Sequence, residues 1–353
     1  MKIAIVTLEG EQNYGNRLQC YALQEKIKKI YPNSSIDVIV DDPNSISIKI
    51  KNYLRKIINK KNKNPNKKGF YLFEKLINYK QNIRGIYFPR VKERYDKYFV
   101  GSDQVWNVGK FGVNKKFFLA FTSSDEKYSY ASSLGISEIP SKFKKQYIKN
   151  LKKFKLISVR EYRGKELIEN LTGRKDIEVM VDPTMLLTEE DWDLVAKKPA
   201  MLNSKKYILN YFLGDLTYER KEEIMRVAKE NSCEIIDILD KNSPFYECGP
   251  SEFLYLEKNA FLICTDSFHS SVFAILYNTP FIIFNRIQDD VFSMNSRLET
   301  LLSKFDLEER WFNGRINKKM LKCNYSKAYK ILNSERIKAD KFLRQALNIK
   351  DSD

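Results

Sequence analysis

Histidine is all but missing: one, His269, occurs in 353 residues. The five cysteines (Cys20, Cys233, Cys248, Cys264, Cys323) are odd in number, scattered and free of C-x-x-C spacing, which argues against a disulfide framework and a structural zinc site. Without a metal-ligand cluster, no metal and no cofactor are expected. No G-x-G-x-x-G loop follows the first strand, so nicotinamide and flavin binding lose support. Long apolar runs are absent too: "MKIAIVTLEGEQ" carries a brief one before Glu9 and Glu11, too short for a signal-peptide core or a membrane span. The expectation is a reduced, cytoplasmic protein.

What is present is ample for a folded core, with 43% hydrophobic, 13% aromatic and 30% charged residues. The length suits two ordinary domains or one large α/β domain. Lys and Arg exceed Asp and Glu by 62 to 45, a net charge of +17, which calls for an anionic partner. Residues 44–73 contain no acid but hold Lys49, Lys51, Arg55, Lys56, Lys60, Lys61, Lys63, Lys67 and Lys68. A second acid-free run, "KFKKQYIKNLKKFK" (142–155), mixes seven lysines with Phe143, Tyr147, Ile148, Leu151 and Phe154 at helical spacing. Both fit either a solvated helix face or peripheral contact with an anionic membrane, where each basic residue adds about 1 kcal/mol. No nucleic-acid module accompanies the charge, and nucleic acid is not expected as a partner.

Strands and helices alternate. "KIAIVTL" (2–8) reads as a buried strand, residues 15–31 place Leu18, Ala22, Leu23, Ile27 and Ile30 on one helical stripe, and "IDVIV" (36–40) is a second strand. This βαβ opening predicts a parallel sheet with ligands beyond the strand carboxyl ends. The expected class is α/β, with two Rossmann-like domains facing a cleft. The first spans 1–187 with a basic helical insertion at about 44–80, the second spans 188–312, and a C-terminal helix over 313–353 packs back on the first. One continuous sheet is the alternative.

Four blocks collect polar side chains at strand ends. After the first strand, "EGEQNYGNRLQ" presents Gln12, Asn13, Asn16 and Arg17 over a helix N-terminus; capping accounts for one asparagine, not for the set of four. "GSDQVWN" (101–107) offers Asp103, Gln104, Trp106 and Asn107, suited to sugar hydroxyls and to packing an indole on a pyranose face. "SVREYRG" sets Arg160 and Glu161 behind a strand, where the guanidinium either grips an oxyanion or pairs with Glu161. "ICTDSFHSSVFAILYN" is a strand, three residues of N-cap type and an apolar helix, so His269 falls in the helix's first turn. Beside an anion bound at such a terminus, a histidine is held protonated and can act as a general acid.

With "NYGNRLQCYALQ" (13–24), "GSDQVWN" (101–107), "YASSLG" (130–135), "ISVRE" (157–161), "VDPTMLL" (181–187) and "TDSFHSSVFAILYNTPFI" (265–282) in order, the chain resembles the polysaccharide pyruvyl transferase family. The resemblance implies a fold similar to B-type glycosyltransferases. It also implies transfer of a pyruvyl group from phosphoenolpyruvate to a sugar diol as a cyclic ketal, in bacterial cell-surface polysaccharide (exopolysaccharide) biosynthesis. Ser270 departs from the glycine often found after "SFH", and some members have arginine at the place of Ser267. On this basis His269 is the expected catalytic residue. Arg160, Ser267, Ser270 and Ser271 are expected to bind the donor, and Asn13, Tyr14, Asn16, Arg17, Asp103, Gln104 and Trp106 the saccharide acceptor. A lipid-diphosphate-linked acceptor would place the protein at the inner face of the cell membrane. A nucleotide-sugar glycosyltransferase of the same fold, or a non-catalytic scaffold of polysaccharide assembly docked by its lysines, fits the same features less fully.

Overall fold

The structure, a computed structural model, describes residues 1–9, 13–45, 49, 68–84, 90–108, 112–286 and 296–349. Most of the basic stretch expected as a helical insertion (46–48 and 50–67) lies outside the described residues, as does Gln12. The chain divides into two compact units: residues 1–66, 74–186 and 337–353, and residues 67–73 and 187–336.

Among the described residues the first unit holds eight strands: β1 (Lys2–Val6), β2 (Ser35–Asp41), β3 (Tyr79–Arg84), β4 (Arg90–Val91), β5 (Lys97–Val100), β6 (Lys127–Ser132), β7 (Leu156–Val159) and β8 (Ile177–Val179). They run in the order β4-β3-β2-β1-β5-β6-β7-β8, parallel except for the β3–β4 pair. β1 lies mid-sheet, and Ile3, Ala4, Ile5 and Val6 are completely buried, each larger side chain contributing about 1.5–3 kcal/mol. Helix α1 (Tyr14–Ile30) buries Leu18, Ala22, Leu23 and Ile27, while Lys28 and Lys29 in its last turn complement the helix dipole. The order reverses between β1 and β5. In an open α/β sheet, ligands bind at such a reversal, outside the carboxyl ends.

Within the expected insertion to about residue 80, residues 68–74 form helix α2 (Lys68–Glu74), and β3 pairs with β2 from Tyr79 on. "YKQNIR" conceals a strand because it lies near the sheet edge, where Asn82 and Ile83 are its only buried residues. Two further helices follow, α3 (Ser141–Leu151) and α4 (Tyr162–Thr172). On and just after α3, Tyr147, Leu151 and Phe154 are buried while the seven lysines of 142–155 point to solvent. The aromatic side of that run is core and the lysine side is solvated.

The second unit begins its unbroken stretch with α5 (Glu189–Asp193), and its sheet is β10-β9-β11-β12, all parallel. The strands are β9 (Tyr207–Tyr211), β10 (Glu234–Asp237), β11 (Leu262–Thr265) and β12 (Phe281–Ile283); the order reverses between β9 and β11. Helices α6 (Tyr218–Glu230), α7 (Pro250–Asn259), α8 (Phe268–Leu276) and α9 (Ser296–Phe305) accompany them. Nearly every side chain of α8 is buried. The terminal helix, expected over 313–353, is α10 (Ser326–Leu347). Its early turns belong to the second unit, where the Tyr329 hydroxyl donates to Leu276 O at 2.6 Å. Its later turns belong to the first, where Phe342 meets Tyr130 edge-on at 6.1 Å.

Residues 67–73 join the second unit through a backbone approach: a Cβ on Gly249, the residue before α7, would lie 2.3 Å from the Gly69 carbonyl carbon. Backbone atoms cannot swing aside. Gly249→Ala is therefore expected to lower stability by about 3 kcal/mol, read as a reduced urea midpoint; an unchanged midpoint would show that the approach is dispensable.

Candidate functional site

In the first unit, the loops after β1 and β5 meet at the sheet's reversal. Thr7 Oγ1 donates to Ser102 O at 3.0 Å, and Gln19 Nε2 donates to Thr7 Oγ1 at 2.8 Å. These bonds tie α1 to the "GSDQ" turn and bring the predicted acceptor residues to one sheet edge. Their side chains are not equally accessible. Asn13 caps α1 by accepting from Asn16 N at 3.1 Å, and Asn13, Asn16 and Gln104 are half-buried. Tyr14 is buried. Arg17, also buried, gives Nε and Nη2 to Glu74 Oε1 at 2.9 and 2.7 Å. Trp106 corrects the sugar-stacking expectation: it is 1% exposed, its Nε1 donates to Phe117 O, and Phe118 stacks 5.7 Å away with Phe154 edge-on at 5.6 Å. An indole enclosed in this way has no face to offer a pyranose.

Arg160 requires a second correction. Its side chain is 1% exposed and makes neither an outward oxyanion grip nor a simple pair with Glu161. Nη1 donates to Asp182 Oδ2 at 2.7 Å and Nη2 to Asp103 Oδ1 at 3.4 Å. Burial works against the guanidinium's charge, but Asp182, Asp103 and Glu161 together outweigh it and hold its pKa above the ordinary arginine value. Asp182 also accepts from Ser102 Oγ at 2.7 Å, Thr184 N at 3.0 Å and Thr184 Oγ1 at 2.7 Å. Asp103 sits at φ +71°, a strained region for a residue with a Cβ, held because its carbonyl accepts from Val105 and Ser133. Glu161, before α4, accepts from Ser133 Oγ, Leu134 N and Gly135 N. This network shapes the carboxyl edge from inside. Asp182→Ala strands the Arg160 charge and is expected to destabilise the protein by about 3–5 kcal/mol; denaturant unfolding showing under 1 kcal/mol would contradict that role.

In the second unit, the reversal between β9 and β11 carries the "TDSFH" turn. Asp266 spans it: Oδ1 accepts from Leu213 N at 2.7 Å, Oδ2 from Gly214 N at 2.8 Å, and Arg286, beyond β12, gives Nε to Oδ2 at 3.0 Å. Three carboxyl-edge loops are thus joined by one buried carboxylate. Thr265 Oγ1 donates to Tyr211 O at 2.7 Å and accepts from Ser267 N at 3.0 Å. Ser267 is the N-cap residue of α8 by backbone position, but its hydroxyl caps nothing. His269, 7% exposed, lies in the first turn, where helical N–H groups have no internal partners. Ser270 and Ser271 do not face a ligand as expected. Fully buried, Ser270 Oγ donates to Glu257 Oε1 at 2.5 Å and Ser271 Oγ to Ser267 O at 2.9 Å.

Sequence reasoning passed over Asp266, Arg286 and Glu257. Asp266 was legible only as a capping type, and nothing marked the distant Arg286 as its partner. Glu257, on α7, is fully buried, and its Oε2 lacks a hydrogen-bond partner among the described residues. Burial pushes its carboxyl well above the ordinary 4.5, with the Ser270 hydroxyl pulling weakly the other way. The unfolded chain therefore releases this proton first as pH climbs past 4.5, and stability falls until the folded Glu257 itself ionises. Glu257→Gln should remove that slope, its advantage over the wild type growing by up to about 1.4 kcal/mol per pH unit above 4.5. Parallel stability-against-pH curves for the two proteins would overturn this assignment.

Fold and site together define an α/β protein with polar turns at the reversal of each parallel sheet. The model of the polysaccharide pyruvyl transferase family matches residues 13–287, and the chain belongs to that family. Among solved structures, it is similar to UDP-GlcNAc 2-epimerase from Neisseria meningitidis bound to UDP-GlcNAc, with 11% identity, 99% of this chain and 100% of that one covered and a TM-score of 0.49. The UDP-GlcNAc 2-epimerase of Methanocaldococcus jannaschii in complex with UDP-GlcNAc and UDP gives 16% identity, coverage of 99% and 100%, and a TM-score of 0.48. The heptosyltransferase II of E. coli, named for ADP-heptose and LPS, gives 12%, 96% and 99%, and 0.33. No curated protein matches the sequence.

Proposed function

We propose that this pyruvyl transferase moves the pyruvyl group of phosphoenolpyruvate onto two hydroxyls of a saccharide, forming a cyclic ketal in cell-surface polysaccharide synthesis. The observation that carries the proposal is the position of the chain's sole histidine. His269 lies in the first turn of α8, beside the uncapping Ser267, at the sheet reversal of the second unit. Exposed N–H groups and a partial positive charge favour an oxyanion at such a terminus.

In this mechanism His269 protonates the methylene carbon of phosphoenolpyruvate, and positive charge develops at C2. One sugar hydroxyl adds to C2, and its proton restores His269. The C2–O bond to phosphate then breaks with its electron pair leaving on phosphate, and the second hydroxyl closes the ring as its proton departs with that phosphate. Donor carboxylate and phosphate are bound by Ser267 and the helix N-terminus. Phosphoenolpyruvate is a co-substrate, and neither metal nor cofactor takes part. The exposed lysines of α3 and its following turn support peripheral contact with an anionic membrane and a lipid-diphosphate-linked acceptor. Among the described residues no helix is long and apolar enough to cross a membrane.

The test is mass spectrometry of candidate saccharides incubated with protein and phosphoenolpyruvate, with and without chelator. A pyruvyl mass increment with released phosphate is expected in both, and His269→Ala should lower kcat by about 10²–10⁴-fold. Near wild-type turnover in that variant would remove His269 from the chemistry. Stabilisation by nucleotide sugars, with none by phosphoenolpyruvate, would replace the proposal with a glycosyltransferase.

A further inference from the structure

We propose that Arg286 is the cation that binds the oxyanion of the donor at the start of α8, a role closed to Arg160, which Asp182 and Asp103 enclose inside the first unit. The inference rests on the donor assignment above and adds the residue that gives that site its positive charge. Arg286 follows β12 at the same carboxyl edge as the "TDSFH" turn, and its side chain is 10% exposed. Its guanidinium meets Asp266 with one edge: Nε donates to Oδ2 at 3.0 Å and Nη2 to the Asp266 carbonyl at 3.1 Å. Nη1 has no hydrogen-bond partner among the described residues, so one end of the fork remains for a ligand.

The surroundings hold that end in place. Arg220, in the first turn of α6, donates Nη1 to Asn285 O at 2.7 Å and fixes the backbone just before Arg286. Asp266 is itself held by the Leu213 and Gly214 N–H groups, so its carboxylate is shared among three donors and only partly offsets the arginine. An independent mark of a ligand is the residue after Asp266. Ser267 is 2% exposed, yet its hydroxyl neither caps α8 nor makes another hydrogen bond among the described residues. Arg286 from one loop and Ser267 Oγ at the start of α8 from another supply donors of the kind that a phosphate or carboxylate takes.

Arg286→Gln and Arg286→Lys are compared with wild type in three measurements: kcat and KM for phosphoenolpyruvate and acceptor, calorimetric titration with phosphoenolpyruvate and with inorganic phosphate, and thermal unfolding. The glutamine variant should raise KM and Kd for phosphoenolpyruvate at least tenfold with acceptor KM unchanged, and the lysine variant should recover part of the loss. Parallel weakening of phosphate binding assigns Arg286 to the phosphate; phosphate binding held at the wild-type level while phosphoenolpyruvate weakens assigns it to the carboxylate. Unchanged affinity for both ligands overturns the inference, as does equal loss of donor and acceptor affinity tracking a lowered Tm that lysine does not restore. If the wild type transfers nothing from phosphoenolpyruvate, the donor assignment falls, and the phosphate titration still decides on Arg286. Phosphate binding lost in the glutamine variant then supports it, and binding unchanged, or absent from the wild type, rejects it.

Discussion

A carboxylate cut off from water at the carboxyl edge of a parallel sheet must be supplied with several donors, or its burial costs stability. Both units are organised around such a group. Asp182 takes Ser102, Arg160 and both donors of Thr184, while Asp266 takes two backbone N–H groups and Arg286. Each carboxylate thereby fixes loops from separate strands, which the strands alone leave unconstrained.

The two centres differ in what they leave over. Around Asp182 the cation is enclosed, with Arg160 1% exposed and two carboxylates against it. Around Asp266 the arginine is engaged along one edge, next to a serine hydroxyl without a partner among the described residues and the chain's sole histidine. The first arrangement is a scaffold that holds a strained turn at Asp103, and the second is the one on which the proposed donor site rests. Charge alone does not distinguish them; the number of carboxylates each cation meets does, two for Arg160 and one for Arg286.

Much of the fold was legible because buried parallel strands are short apolar runs and their crossover helices carry apolar stripes. "KIAIV", "YILNY" and "LICT" are strands, and Leu18, Ala22, Leu23 and Ile27 do face inward. β3 was not legible, since a strand near the sheet edge needs no apolar run. The polar turns were legible as sets, because capping explains one residue of each and not the remainder. Their individual roles were not: Trp106, Arg160, Ser270 and Ser271 are residue types that serve equally in a sugar site or a core, and only their neighbours decide.

By itself the sequence determined the alternation of strand and helix, the turns that would carry polar groups and the place of His269 at the start of a helix. These follow from periodicity and local capping chemistry, which act within about a dozen residues. Tertiary structure alone decided which polar groups are already satisfied, since the partners lie far along the chain: Ser102 with Asp182, Arg160 with Asp103, Ser270 with Glu257 and Asp266 with both Leu213 and Arg286. A buried polar group is committed or available according to what packs against it, and that is a property of the folded chain.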